Sequence, residues 1–169
     1  MSLIYKIAII SIIGIVSCKG KENNKVAQVT LNKPASELEK IKLTNLDNSP
    51  IDLKQYKGKT IFINFWATWC KPCVEEMPTI QKAKDILKDE NIEFLFASNE
   101  SPEQIESFVA KHDYRFNYVR IDNLEELNIM GLPTTFIFNK EGKLVFTEMG
   151  YNQWDQKNNI DSILKIVNQ

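Results

Sequence analysis

The stretch Thr60–Ala67, "TIFINFWA", constrains the fold more than any other part of the chain. It is a continuous apolar and β-branched run, so it cannot sit half-exposed on a sheet. It reads as a strand buried on both faces, and such a strand needs a covering layer on each side. Lys57-Gly58-Lys59 leads into it, and Cys70-Lys71-Pro72-Cys73 follows almost at once. Residues from Cys70 to about Leu87 then read as a helix, with Ile80, Ala83, Ile86 and Leu87 on one side.

The rest of the chain repeats this alternation. "KIKLTNL" and "PIDL" flank Asp47-Asn48-Ser49, an Asx-rich turn that predicts a small hairpin. "IEFLFAS" is a second buried strand. Ser101-Pro102-Glu103 opens another helix, with Pro in the first turn, where its missing N–H costs nothing; Ile105, Phe108 and Val109 supply its inner side. "FNYVRID" predicts a short strand and Leu124–Leu127 a short helix. "TTFIFN" and "KLVFTEM", joined through Glu141-Gly142, predict a hairpin, and "NIDSILKIVN" a closing amphipathic helix. Together these predict an α/β fold with a central mixed sheet, helices on both faces and an N-terminal β-hairpin.

The 169 residues are 43% hydrophobic and 25% charged, which suits one globular domain; the formal charge of -1 leaves no basic excess for nucleic acid. The N-terminus differs in character. Lys6 precedes the apolar run Ile7–Val16, which stops at Ser17-Cys18 and gives way to a polar stretch. A basic residue, an apolar segment of this size and a small residue before the break describe a secretory signal, and the run is short of the roughly 20 residues a membrane span needs. Ile15-Val16-Ser17-Cys18 also resembles a bacterial lipobox, which implies cleavage before Cys18 and lipidation there. An ordinary signal peptide or an uncleaved anchor, with Cys18 incidental, are the alternatives. The expected organisation is a signal peptide over 1–17, a lipid-anchored tether over 18–36 and a folded domain over 37–169. Export places the chain where disulfides form and persist.

Three uses of Cys70 and Cys73 can be weighed. A structural zinc site wants four ligands, and only Cys18 and His112 remain to complete one. His112 lies at a helix end beside Asp113, which reads as a solvated residue rather than a copper ligand. No metal and no cofactor is expected. A staple across so short a loop removes little chain entropy. Redox chemistry has a physical reason. A thiol between a buried strand and a helix faces unpaired backbone N–H groups and the positive end of the helix dipole, which favour thiolate. Cys70 is then the attacking thiol and Cys73, one turn in, the resolving one. Pro72 is tolerated in the first turn.

"NFWATWCKPC", with Pro78 five residues after Cys73 and "GLPTTF" downstream, resembles the thioredoxin superfamily, and within it the TlpA/ResA-like exported thiol-disulfide oxidoreductases. The likeness covers roughly Leu38 to the C-terminus and implies a thioredoxin-like fold. It implies that Pro133 is cis and lies against the cysteines, with the backbone of Leu132 pairing with an extended substrate strand. Cytosolic thioredoxins carry a buried Asp six residues before the first Cys; here Asn64 stands there and cannot titrate. The TlpA/ResA-like group instead places a Glu three residues past the second Cys, here Glu76, one turn from Cys73 and on its face. A carboxylate there would exchange a proton with Cys73; a solvated Glu on a helix edge is the plainer reading. Trp69 shields or contacts the site, or packs as an ordinary aromatic.

The resemblance implies a reductase of disulfide-containing exported proteins, supplied with electrons by a membrane thiol carrier of DsbD/CcdA type and held to the membrane by its lipid. Apocytochrome c is one implied substrate class, because haem attachment in cytochrome c maturation needs reduced cysteines. An oxidase or isomerase stays open: strong oxidants tend to have His between the cysteines, whereas Lys71-Pro72 has none, yet Lys71 is cationic and tunes in the same direction. A redox-inactive peptide-binding module using the groove near Pro133 is the reading from a different class.

Overall fold

The computed structural model of the chain describes residues 36–169. Cys18, the expected signal segment and the expected tether up to residue 35 lie outside them.

Seven strands form one mixed sheet: β1 (Leu43–Thr44), β2 (Pro50–Ile51), β3 (Thr60–Phe65), β4 (Ile92–Ser98), β5 (Asn117–Ile121), β6 (Thr134–Phe138) and β7 (Leu144–Met149), in the order β2-β1-β5-β4-β3-β6-β7. The helices are α1 (Lys71–Ile86), α2 (Pro102–Val109) and α3 (Lys157–Val167), with 3-10 turns at Leu38–Lys40, Leu53–Tyr56 and Leu124–Leu127. Strands β3, β4 and β5 run parallel to one another, while the pairings β3–β6, β6–β7, β5–β1 and β1–β2 are antiparallel. This is a thioredoxin-like α/β fold, as the sequence predicts. The N-terminal hairpin is there, reduced to two residues per strand, and its turn is closed by the Ser49 N–H donating to Asp47 Oδ1 at 2.8 Å.

All six residues of β3 are buried, so both its faces meet a core. Phe62 and Trp66 point into a cluster with Met77, Ile80, Ile105, Phe108 and Ile163, drawn from all three α-helices. Ile61, Ile63 and Phe65 point the other way, against Leu38, Leu53 and Phe138, with Leu124 and Leu127 packed on them. Helical elements cover both faces, but unevenly: the α-helices share one side and the 3-10 turns take the other. Chirality explains this. The successive crossovers β3–α1–β4 and β4–α2–β5 advance in the same direction across the sheet, and right-handed crossovers then lay their helices on the same face.

Two expectations need correction. Ile86 does not join Ile80 and Ala83 on the inner side of α1; it is the last helical residue and is 57% exposed, while Leu87 just beyond is buried. His112 is half-buried rather than solvated: its ring stacks on Phe108 at 3.9 Å and its Nδ1 lies 2.8 Å from the Phe108 carbonyl oxygen. A helix-end imidazole next to an open aromatic face gains apolar contact there.

Candidate active site

The site is built at the C-terminal end of β3. The Trp66 N–H donates to the Ala97 carbonyl at 3.1 Å, continuing the ladder, and the chain then turns through Ala67–Trp69. Glu100 holds this turn: its carboxylate accepts from the Thr68 N–H and the Thr68 hydroxyl, each at 2.6 Å, and from the Ser98 hydroxyl at 3.1 Å. Cys70 is the N-cap of α1, with extended backbone, and its Sγ accepts from the Cys73 N–H at 3.3 Å. A sulfur therefore takes the place that a Ser or Asp oxygen occupies in an ordinary cap.

Cys70 and Cys73 are joined as a disulfide, with Cα atoms 5.3 Å apart, inside the usual range for a bridge. Both are buried, and Lys71 and Pro72 between them are exposed. Trp69 is 74% exposed beside Cys70, so it is not a packing aromatic. Thr134, the first residue of β6, stands opposite Phe65, which brings the preceding cis Leu132–Pro133 bond to the same end of the sheet. Across that bond the Gly150 N–H donates to the Pro133 carbonyl at 2.8 Å, and Met149, paired with Thr134, is exposed. Met130, three residues before Pro133, is exposed as well. Trp69, next to Cys70, and Met149, opposite Thr134, thus put exposed apolar side chains at this end of the sheet.

Beneath the cysteines lies Glu76, 1% exposed, so the solvated reading does not hold. Three N–H groups reach its carboxylate: Asn64 Nδ2 donates to Oε1 at 2.7 Å, and the Asn152 backbone and Trp154 indole donate to Oε2 at 3.1 and 3.3 Å. Burial raises the carboxyl to about 7 against these donors, with the Glu148 carboxylate on β7 adding a smaller push the same way. A group poised there can take and return a proton near neutral pH.

Sequence reading singles out Cys70, Cys73, Glu76, Asn64 and Pro133, and the structure brings them to one end of β3. It missed Asn152, Trp154, Thr135 and Glu100. A lone Trp in the polar loop "YNQWDQ" was the available signal for the first two. Trp154 is buried edge-on to Phe62 at 4.9 Å, and its indole N–H needs a partner there, which Glu76 supplies. Among the described residues no cluster of three or more His, Cys, Asp or Glu side chains could hold a metal, and no helix is long and apolar enough to cross a membrane.

The chain is similar to several known proteins. The Redoxin family model matches residues 21–164. The thiol-disulfide oxidoreductase ResA of Bacillus thuringiensis is 36% identical over 108 residues, covering 61% of this chain and 62% of that protein, so the chain spans under two thirds of the length of this relative. The ResA of Halalkalibacterium halodurans is 28% identical over 149 residues, covering 86% and 85%. The exposed lipoprotein thioredoxin Etrx1 of Streptococcus pneumoniae superposes with a TM-score of 0.59 at 27% identity, over 73% of this chain and 96% of that one.

Proposed function

The chain belongs to the Redoxin family, and from that premise we propose that it is a thiol-disulfide oxidoreductase of the cell envelope that reduces disulfides in exported proteins. The observation that carries this reading is the Cys70–Cys73 pair at the N-terminus of α1, with a carboxyl raised to about 7 beneath it.

In the reduced enzyme the Cys73 N–H that caps Cys70 Sγ favours a thiolate there. That thiolate attacks one sulfur of a substrate disulfide; the S–S bond breaks, a mixed disulfide forms, and the leaving thiolate takes up a proton. Glu76 accepts the proton of Cys73, whose thiolate attacks Cys70 Sγ and releases the second substrate thiol. Two electrons pass to the substrate and the Cys70–Cys73 disulfide remains, to be reopened by a dithiol donor, a membrane carrier of DsbD/CcdA type. Leu132 and Pro133 receive the substrate strand by backbone pairing, and the exposed Trp69 beside Cys70 contacts it. Apocytochrome c is one substrate class within this reading. A lipid on Cys18 tethers the domain, in keeping with the lipobox-like tetrapeptide and with a structural relative named as a lipoprotein.

Trapping with Cys73→Ala tests substrate and order together: the unresolved mixed disulfide through Cys70 is recovered and its partner identified. The wild-type potential tests direction. A value near that of thioredoxin, about -270 mV, is expected; one near DsbA, about -120 mV, overturns the reductase assignment.

A further inference from the structure

The partners of Glu76 differ in what they are able to do. The Asn152 backbone N–H and the Trp154 indole N–H are donors only, so Oε2 accepts in every protonation state. A proton on this carboxyl therefore sits on Oε1, which faces the Asn64 amide nitrogen at 2.7 Å. A carboxyl O–H and an amide N–H cannot bond to one another. The same nitrogen spends its second hydrogen on Thr135 Oγ1 at 3.1 Å, while the other end of the amide, Asn64 Oδ1, is buried without a hydrogen-bond partner among the described residues. An unpaired buried carbonyl oxygen is costly and calls for an explanation.

We infer that Asn64 and Thr135 are positioning residues for the redox reaction, which let Glu76 gain and lose its proton by a half-turn of the Asn64 amide and a rotation of the Thr135 hydroxyl. With Glu76 ionised, the Asn64 NH2 donates to Glu76 Oε1 and to Thr135 Oγ1. With Glu76 protonated, the amide turns and Oδ1 occupies that place. The NH2 moves to the side where Oδ1 had no partner among the described residues, a cost that falls on the protonated state and is set against the two bonds Oδ1 gains. Its two lone pairs then accept from the Glu76 O–H and from the Thr135 hydroxyl, which donates in this state. Amide N and O are nearly equal in size, so neither the backbone nor the packing has to move. The pair stands on adjacent strands in register, Asn64 on β3 opposite Thr135 on β6, which keeps the contact short in both states.

The surroundings suit such a device. Glu148 on β7, paired with Thr135, is the charged group that acts on Glu76, and among the described residues no cation pins the carboxylate in its ionised form. Cys73 on α1 is the proton-exchanging partner in the proposed cycle. Burial holds the carboxyl at about 7, so both hydrogen-bond arrangements would be called on around neutral pH. An Asp in place of Asn64 could not serve, since its ionised form accepts only and would put a second negative charge against Glu76.

The inference rests on Glu76 as proton handler, and one titration separates the two claims. In the full chain with its disulfide intact, the Glu76 carboxyl carbon and the Asn64 side-chain amide are followed by NMR between about pH 5 and 9. Both are expected to move with one midpoint, and Glu76→Gln is expected to hold the Asn64 amide still across the range. A Glu76 carboxyl that does not titrate overturns the proton role and this inference with it. A Glu76 that titrates while the Asn64 amide stays fixed overturns this inference alone. As a second measurement, Asn64→Asp, checked for its native fold by circular dichroism, is expected to raise the Glu76 midpoint by roughly one pH unit or more. It should displace the pH profile of thiol exchange equally; an unmoved profile counts against the positioning role.

Discussion

The two faces of α1 carry the same side chain to opposite environments. Glu75 is exposed and reaches back to Lys71 at 3.6 Å, one turn earlier on the outer face. Glu76, the next residue, is buried among Asn64, Asn152 and Trp154 and forms no ion pair among the described residues. The outer pair is an ordinary solvated ion pair, worth about 0–1 kcal/mol. The inner carboxylate must give up most of its hydration, and three N–H donors do not make good the loss, so its proton is held up to about 7. One step of about 100° around a helix separates a charge that does little from one that can drive chemistry.

Substitutions on the two faces should separate these roles. The largest effect is expected from Cys73→Ser on the inner face, which should bring insulin reduction with a thiol donor down to background while Cys70 stays alkylatable. Met77→Ala, in the fully buried inner row, should cost about 2–5 kcal/mol of stability in denaturant melts through the cavity it leaves. Glu76→Gln tests the buried charge. Folding raises this carboxyl from 4.5 to about 7, so the folded state keeps a proton that the unfolded chain has released. The stabilisation from that proton is whole below about pH 4.5 and is lost as pH rises through 7, a fall on the order of 3 kcal/mol at 1.36 kcal/mol per unit. Denaturant melts across that window should show the fall in the wild type and a flatter line in Glu76→Gln, and the thiol-exchange profile should move with it. An equal fall in the variant would assign the pH dependence elsewhere. Glu75→Gln closes the series: a change within about 0.5 kcal/mol and an unmoved pH profile.

How far the sequence carries depends on how locally each feature is specified. The apolar run of β3 announces a strand covered on both faces because consecutive apolar residues put side chains on both sides of it, although its partners β4 and β6 lie far along the chain. The Cys pair, the N-cap position of Cys70 and the choice of Glu76 over Glu75 follow from helical spacing within seven residues. Ile86 shows where periodicity stops being informative: a helix end is shaped by what lies beyond it, and the inner row passes on to Leu87 instead. His112 reads as solvated only until the open ring of Phe108 is seen beside it.

The chain's local pattern thus determined its α/β class and the thiol pair, and put Glu76 rather than Glu75 on the face of Cys73, because propensity, periodicity and capping act over a few residues; that Glu76 is buried was settled by the fold. Tertiary structure alone decided which groups surround that carboxyl. Asn64 comes from twelve residues before Glu76, Thr135 is drawn in by the β3–β6 register, and Asn152 and Trp154 arrive from a loop beyond residue 150. The energy that sets a buried proton's affinity is a sum over every neighbour in a medium of low dielectric constant, and those neighbours are adjacent only once the chain has folded.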